Sequence, residues 1–279
     1  MPTISNTEVI NGSLVSVIIT TKNEERNIEK CLQSIKKQAF KNIELIVVDN
    51  FSKDKTAELA KKCGAKVYFK GNERSAQRNY GAKIATGKYV LYLDADMILS
   101  PTLIEECVQK TETSSIDALY IPERIVGHGF WIEVRDFERS FYTGTVIDAV
   151  RFVRRQLFLQ VGGFDETFAG PEDWDFDRKI RQAGITGIVN APLYHNEGRF
   201  NINRYLKKKS YYSAGIQKYV KKWGTSDLET LKQTGTHYRL LGVFIENKKW
   251  TKLMRHPDKA LGIFVLRFMV GITYLSSRR

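Results

Sequence analysis

KYVLYLDADM, residues 88–97, joins a strand of buried type directly to two acids. Tyr89 to Leu93 form the continuous apolar run that is typical of a strand covered on both faces. Asp94 and Asp96 follow it, and residues two apart on an extended chain point the same way, about 6.5–7 Å from each other. The segment therefore predicts a strand that ends on a pair of neighbouring carboxylates.

Strand-like and helix-like patterns alternate on both sides of this segment, from Leu14 to about Asn190. The runs at 14–20 and 43–49 are also apolar, and residues with helical spacing lie between them. This alternation predicts an α/β domain with a largely parallel sheet. Ligands bind at the carboxyl ends of the strands in such sheets, so the acidic pair lies where a site is expected.

A divalent cation would remove the repulsion within the acidic pair. Mg²⁺ and Mn²⁺ prefer oxygen ligands and often bridge one or two carboxylates to substrate phosphates. His195, which follows the last predicted strand, could add a nitrogen ligand to the same ion. The alternatives are two solvated aspartates that open a loop and a histidine with a structural role.

A second group of acids lies in PEDWDFD, residues 171–177. Glu172 and Asp173 fall in the first turn of a predicted helix. One of them could act as general base toward an attacking hydroxyl. Alternatively, both acids only stabilise the helix dipole. Asp175 and Asp177 are expected on the solvated face of this helix.

Two arginines precede the acidic pair in NERSAQRNYGAK, residues 72–83. Arg74 and Arg78 are four residues apart and share one face at the N-terminal end of a predicted helix, where a phosphate would be stabilised. Asn79 adjoins them. In the alternative reading, the arginines are surface residues that pair with Glu73 or with solvent.

Composition indicates an intracellular globular protein. The 279 residues are 42% hydrophobic and 27% charged, which is ordinary for a folded domain. The three cysteines are widely spaced and suggest neither a disulfide framework nor a four-cysteine zinc site, so we expect a reducing, cytoplasmic setting. Residues 1–16 lack the basic flank and apolar core of a signal peptide, which favours the same compartment.

Positive charge is concentrated in the last part of the chain. Residues 201–279 contain 17 Lys and Arg but only four Asp and Glu, which accounts for the whole formal net charge of +13. Tyrosines and tryptophans lie among these basic residues. The apolar stretch 260–275 is shorter than the about 20 residues of a spanning helix. These features predict a basic helical region that meets an anionic partner.

Four motifs, in this order, resemble those of glycosyltransferase family 2, whose members have the GT-A fold. They are SVIITTKNEERNIEKCLQSI from residue 16, ELIVVDNFSKDKT from 44, RSAQRNYGAKIATGKYVLYLDAD from 74 and GGFDETFAGPEDWDF from 162. The similarity covers about residues 14–200. It implies an inverting enzyme with a GT-A type nucleotide-sugar-binding domain and a mostly parallel central sheet in residues 1–200. Residues 201–279 would be a basic helical extension.

The resemblance also implies roles for individual residues. Asp173 would be the general base, with Glu172 supporting the acceptor or the geometry. Asp94, Asp96 and His195 would hold Mn²⁺ or Mg²⁺. The residues implied in binding a UDP- or GDP-sugar are Thr20, Thr21, Asn23, Glu24, Asp49, Ser52, Arg74, Arg78, Asn79, Asp94 and Ala95.

The basic region departs from the family pattern. Lys and Arg interleaved with aromatic residues fit an anionic membrane surface, so we expect a peripheral enzyme at the inner face of the cell membrane. Its acceptor would be polyprenyl-linked, and a lipid-phosphate nucleophile would need no general base. The structural alternative is a helical bundle that caps the active site without touching a membrane.

Two other functions remain as alternatives. A sugar-phosphate nucleotidyltransferase also uses an α/β nucleotide fold and acidic metal ligands, but TTKNEE after the first strand contains no Gly-rich basic loop. A nucleic-acid-binding protein could use the basic region, with aromatic residues stacking on bases and lysines on phosphates. Nucleic acid is the less favoured partner.

Overall fold

A seven-stranded sheet forms the centre of the computed structural model, which describes residues 12–213 and 215–276. Most of the segment used for the signal-peptide prediction lies outside these residues. The strands are β1 Val15–Thr21, β2 Ile43–Asp49, β3 Lys66–Phe69, β4 Tyr89–Asp94, β5 Met97–Leu99, β6 Ala118–Tyr120, β7 Glu123–His128, β8 Phe152–Arg154, β9 Thr186–Ile188 and β10 Leu193–Arg199. The large sheet has the order β3-β2-β1-β4-β8-β6-β9, and β5, β10 and β7 form a smaller sheet.

Helices surround the large sheet and make up the C-terminal region. They are α1 Ile28–Lys36, α2 Thr56–Lys62, α3 Arg74–Ile84, α4 Leu103–Thr113, α5 Phe130–Arg139, α6 Arg155–Gln160, α7 Glu172–Ala183, α8 Ile202–Ser213, α9 Ile216–Trp223, α10 Leu228–Thr234, α11 Val243–Ile245, α12 Trp250–Arg255 and α13 Pro257–Ser276. A π-helical turn at Tyr238–Gly242 precedes α11, and a 3₁₀ turn at Glu246–Lys248 follows it.

The large sheet is mostly parallel, which confirms the prediction from the alternating pattern. β3, β2, β1 and β4 run in one direction, and β8 lies antiparallel between β4 and β6. In the parallel register Thr20 of β1 lies opposite Asp94 of β4, and Thr21 lies opposite Asp49 of β2. The carboxyl ends of three adjacent strands therefore bring these polar residues to one edge.

Helices cover both faces of this sheet. Leu32 of α1 belongs to the apolar core on one face, and Phe176 of α7 to the core on the other. α3 approaches β1 so closely that a Cβ on Gly81 would overlap the side chain of Ile18. This close approach holds the arginine-bearing helix directly against the central strand.

The smaller sheet is a feature that the sequence pattern does not predict. β10 pairs antiparallel with β5 and parallel with β7. His195 thus lies within a strand, whereas the sequence places it after the last one. The reason is that β10 reads LYHNEGR, where polar residues occupy positions that would show apolar alternation in an ordinary half-buried strand.

The C-terminal region is helical, as its composition predicts, and packs on α5. Val134 of α5 shares an apolar core with Phe244, Ile263 and Leu266. Within the two described ranges, no helix combines the length and the apolarity needed to cross a lipid bilayer. The predicted boundary at residue 200 falls between β10 and α8 and stays a prediction.

Candidate active site

Arg78 is the centre of a cluster at the carboxyl edge of the large sheet. Its side chain is only 1% exposed, and it donates from Nη2 to Asp94 Oδ1 at 3.1 Å and from Nη1 to Asp173 Oδ1 at 2.7 Å. The guanidinium carbon lies 4.9 Å from the centre of the Tyr92 ring and 5.0 Å from that of Phe164. One buried cation therefore joins the end of β4 to the first turn of α7.

Arg74, one turn earlier on α3, makes a second connection between the same two elements. It donates to Glu172 Oε1 at 2.9 Å, and a guanidinium nitrogen lies 3.6 Å from Asp94 Oδ2. The helical spacing of four residues predicts that both arginines face one way, and the structure brings them to the same acids. Glu73, the alternative partner considered from the sequence, instead accepts a hydrogen bond from Tyr211 Oη at 2.6 Å.

These arginines set the charge state of the acids beside them. Burial alone would raise the pKa of Asp94, but the guanidiniums of Arg78 and Arg74 hold that pKa below its usual value. Glu172 behaves differently, because its burial and the neighbouring Asp173 together raise its pKa above the usual value despite Arg74. Asp94 is thus kept ionised, while Glu172 binds protons more readily than a free glutamate.

The second acid of the pair, Asp96, faces the small sheet. His195 Nε2 lies 3.0 Å from Asp96 Oδ2, and His195 Nδ1 lies 3.0 Å from Glu123 Oε1. Burial alone would lower the pKa of His195, but the hydrogen bonds to Asp96 and Glu123 raise that pKa to about 10. Arg139 and Arg151 each donate to Glu123 Oε2, at 3.0 and 3.1 Å.

Glu123 is a site residue that the sequence analysis misses. It lies in PERIV, where nothing distinguishes it from a surface glutamate, and only the parallel pairing of β7 with β10 brings it beside His195. Once folded, it fixes the orientation of the imidazole through Nδ1. Outer partners of this kind commonly orient a ligating histidine.

The fit of a divalent cation can be judged from the donor atoms. Among the residues that the structure describes, no group of three or more His, Cys, Asp or Glu side chains is arranged to hold a metal ion. Asp94 is directed to the two arginines instead. However, Asp96 Oδ1 is buried without a hydrogen-bond partner among those residues, and His195 lies next to it. Because Mg²⁺ and Mn²⁺ are often held by one or two protein groups plus phosphate oxygens, Asp96 fits such an ion, and His195 would join it by giving up the Nε2 proton that it shares with Asp96.

Four of the residues assigned to the nucleoside come together after β1 and β2: Asn23, Glu24 and Ser52 lie in the two loops, and Asp49 ends β2. Asp49 accepts hydrogen bonds from Ser52 N at 2.7 Å and from Ser52 Oγ at 2.6 Å. Asn23 N donates to Ser52 Oγ at 2.8 Å, and Glu24 N donates to Thr56 Oγ1 at 2.8 Å. These contacts fix the two loops against each other at the carboxyl edge.

An exposed aromatic pair borders these loops. Phe51 is 62% exposed, and its ring stacks on Phe69 with 6.0 Å between the ring centres. Phe51 lies between Asp49 and Ser52, which are assigned to the nucleoside, and an aromatic face can pack against a planar base. The sequence offers no signal for this pair, since Phe51 lies in the loop after β2 and Phe69 ends β3.

The remaining residues implied in nucleotide-sugar binding do not share one environment. Thr20 Oγ1 donates to Asp94 Oδ1 at 3.1 Å, while Thr21 Oγ1 is buried and has no hydrogen-bond partner within residues 12–213 and 215–276. Ala95 is 2% exposed and packs in the core between the two acids. Asn79 points to another loop, where its amide nitrogen donates to Phe164 O at 2.9 Å. The structure thus brings Thr20 to the arginine cluster and directs Asn79 away from it.

The expectation that Asp175 and Asp177 lie on a solvated face is wrong. Asp175 is fully buried and accepts from Trp223 Nε1 at 2.9 Å. Asp177 is 1% exposed and accepts from the backbone N–H of Val150 at 3.1 Å and from Arg181 at 2.8 Å. Both acids face the protein because α7 lies between the sheet and the C-terminal helices, which gives it two buried sides.

Comparison with known proteins agrees with this architecture. Residues 16–161 match the family described as Glycosyl transferase family 2. An uncharacterized glycosyltransferase of Haemophilus influenzae is 26% identical over 64% of this chain and 67% of its own length. The uncharacterized glycosyltransferase EpsJ of Bacillus subtilis is 28% identical over 65% of this chain and 60% of its own length. One from Rickettsia conorii is 35% identical over 74% of this chain, which spans only 39% of that protein.

Two solved structures show the same fold. The mannosyltransferase PcManGT from Pyrobaculum calidifontis, in complex with GDP-Man and Mn²⁺, aligns with a TM-score of 0.65 at 17% identity, over 96% of this chain and 88% of that one. TarS 1–349 of S. aureus, in complex with UDP-GlcNAc, aligns with a TM-score of 0.58 at 19% identity, over 90% and 81%. The predictions of the family and of the GT-A fold are confirmed.

Proposed function

This chain belongs to glycosyltransferase family 2, and we propose that it transfers a sugar from a UDP- or GDP-sugar to a lipid-linked acceptor, with inversion at the anomeric carbon. One observation carries the proposal: the single guanidinium of Arg78 contacts Asp94 on the donor side and Asp173 on the acceptor side, at 3.1 and 2.7 Å. This arrangement suits a reaction in which a leaving group and a nucleophile meet at one carbon.

The donor class follows from charge and from the neighbours. Two neighbours of the same fold were solved with GDP-Man and with UDP-GlcNAc. In this chain, Arg74 and Arg78 lie at the first turns of α3, and the loops of Asn23 and Ser52 lie beside them at the strand ends. A nucleoside in those loops would place its diphosphate near the arginines and the N-terminus of α3.

The reaction steps are assigned to this chain's own side chains. Asp173 takes the proton of the acceptor hydroxyl as that oxygen attacks the anomeric carbon from the face opposite the leaving group. Negative charge grows on the departing diphosphate, where Arg74 and Arg78 stabilise it. Arg78 also holds Asp173 in place before substrate arrives. Mn²⁺ or Mg²⁺, which Asp96 and His195 would hold, supplies further positive charge at the diphosphate when bound.

The acceptor and the location of the enzyme are inferred from the C-terminal helices. Trp250 and Met254 of α12 and Leu261 and Phe268 of α13 are each at least half exposed. Basic residues lie among them in the sequence, which suits an anionic membrane surface with apolar side chains at headgroup depth. We therefore assign the donor chemistry to residues 1–200 and contact with a peripheral, cytoplasmic-face membrane surface to residues 201–279.

A donor screen tests this function. UDP- and GDP-sugars, each with Mn²⁺, should raise the unfolding temperature for one nucleotide class only, because a ligand that binds the native state stabilises it. Asp96→Asn should reduce that shift, whereas Glu58→Gln, a surface change on α2, should leave it intact. A flat response to every donor would remove the basis of the proposal.

A further inference from the structure

The C-terminal helices hold more positive charge around α5 than the neighbouring acids neutralise. Both carboxylates in this cluster already have arginine partners: Glu197 pairs with Arg135 at 2.7 Å, and Glu138 lies 2.9 Å from Arg267 and 3.2 Å from Arg135. The cluster, named here the cationic cluster, consists of Arg135, Lys209, Arg239, Arg267, Glu138 and Glu197, with the hydroxyls of Tyr142 and Tyr205 beside them.

Two cations of the cluster have no acidic partner. Neither Lys209 nor Arg239 forms an ion pair with any residue in the described parts of the chain. Lys209 lies over the Tyr205 ring, with 5.4 Å from Nζ to the ring centre. Among the described residues, the Arg239 guanidinium donates to the backbone oxygen of Gln233 alone, at 3.2 Å. Both side chains keep partial exposure, so the cluster is open to solvent on their side.

Arg267 adds an unsatisfied donor to the same cluster. Its side chain is 9% exposed. Nε donates to Glu138 at 2.9 Å and Nη2 donates to Tyr142 Oη at 2.5 Å, whereas Nη1 is buried with no hydrogen-bond partner in the part of the chain that the structure describes. A buried donor without an acceptor loses its interaction with water and gains none in return. An anion placed between these cations would supply the missing acceptor.

The pKa values of Lys209 and Arg239 reflect the excess of positive charge in the cationic cluster. Burial, together with the nearby Arg135 and Arg239, lowers the pKa of Lys209 to about 7. Burial and the proximity of Arg267 also lower the pKa of Arg239 from its usual value, against the opposing influence of Tyr142. These cations repel one another, so binding of an anion among them is favoured.

The cluster contacts the helix that carries Asp173 and the strand that carries His195. The Arg239 guanidinium carbon is 5.5 Å from the centre of the Trp174 ring, and Trp174 directly follows Asp173. Arg135 is anchored through Glu197 on β10, two residues after His195. Arg267 belongs to α13, whose Leu261 and Phe268 are exposed apolar residues. An anion here would lie between the proposed general base and an exposed apolar helix.

We propose that Lys209, Arg239 and Arg267 bind the phosphate or diphosphate group of the lipid-linked acceptor. The inference rests on the proposed function for the identity of the acceptor and adds the residues that recognise its anionic part. Guanidinium groups match phosphate oxygens through paired N–H donors, and an ammonium adds a mobile point charge. The anion fixes the acceptor's head beside Asp173 while its hydrocarbon chain follows the apolar surface of α13.

Binding of a soluble lipid phosphate to the full chain tests the proposal. Farnesyl phosphate, below its aggregation threshold, is titrated by calorimetry into wild type, Lys209→Gln, Arg239→Gln and the control Lys221→Gln, which removes one exposed lysine on α9. We expect the dissociation constant to rise at least tenfold in the first two variants and to change less than twofold in the control. Farnesol should bind at least tenfold more weakly than farnesyl phosphate to wild type.

Further measurements distinguish a site for the lipid-phosphate acceptor from a site for bulk membrane lipid. Equal affinity of all four proteins for farnesyl phosphate would overturn the proposal, as would equal affinity of wild type for farnesol. If Lys209→Gln and Arg239→Gln lose binding to phosphatidylglycerol vesicles but keep their affinity for farnesyl phosphate, the cluster binds bulk membrane lipid. That result would also overturn the proposal. The unfolding-temperature shift with the sugar nucleotide should be the same in every variant. A wild type that shows no such shift would contradict the proposed function instead, while the farnesyl phosphate result still decides the role of the cluster.

Discussion

Replacing Arg78 by Met should destabilise the folded protein strongly, because two carboxylates lose their shared partner. At an effective dielectric constant of about 20, each contact near 3 Å corresponds to about 5 kcal/mol of attraction before desolvation is counted. Removal of one partner from a buried ion pair costs about 3–5 kcal/mol. Asp94 and Asp173 keep 20% and 31% of their side-chain exposure, which allows water to compensate in part. We therefore expect a loss of about 3 kcal/mol at pH 7.

Chemical denaturation at several pH values measures this loss. Without Arg78, burial raises the pKa of Asp94 relative to wild type, so the difference in unfolding free energy should narrow as the pH falls from 7 to 4. Adding Asp94→Asn to the variant should recover part of the loss. The control is Arg124→Met, which removes an exposed pair with Asp136 and should cost less than about 1 kcal/mol. A loss below about 1 kcal/mol for Arg78→Met, or one that grows in acid, would refute the reasoning.

Three further changes have defined outcomes. Asp173→Asn should lower kcat about 10²- to 10⁴-fold in steady-state assays with a hydroxyl acceptor and leave the donor KM unchanged; full activity would indicate a nucleophile that is already ionised. Glu44→Gln should cost about 2–3 kcal/mol at pH 7 by chemical denaturation, because hydrogen bonds from Ser16 and Thr86 outweigh burial and lower the pKa of Glu44 to about 2. That difference should fade as the pH falls from about 4.5 toward 2, and a constant difference would contradict this account. Gly81→Ala should cost about 1–3 kcal/mol in the same assay through its overlap with Ile18, whereas Gly271→Ala, which meets no atom within 4 Å, should be neutral or stabilising.

The large sheet is predictable from the sequence because its central strands are covered on both faces. Burial on both sides demands continuous apolar runs, and those runs are visible at 14–20 and 88–93. The small sheet cannot be predicted in this way, because β10 has no continuous apolar run. β10 carries charged and polar side chains whose partners come from β5, β7 and α5, so its stability depends on contacts between segments distant in the chain.

The candidate site is likewise predictable only where its residues lie close together in the sequence. Local spacing is enough to place Arg74 and Arg78 on one helical face and to set Glu172 and Asp173 at a helix start. Local spacing cannot reveal that the arginines of α3 contact the acids of α7, since these pairs join residues that are 95 and 98 positions apart in the sequence. The sequence likewise does not predict the burial of Asp175, because that burial depends on a helix more than 40 residues later in the chain.

Because one guanidinium contacts both Asp94 and Asp173, the proposed donor and acceptor sides cannot be redesigned separately. A mutant library that varies position 173 alone, in search of new acceptors, removes the oxygen that accepts from Arg78 Nη1 in most variants, although Asn keeps one, and so disturbs the contact of Arg78 with Asp94. Positions 78, 94 and 173 should therefore be randomised together. In homologous enzymes, exchanges at these three sites should occur as coordinated sets.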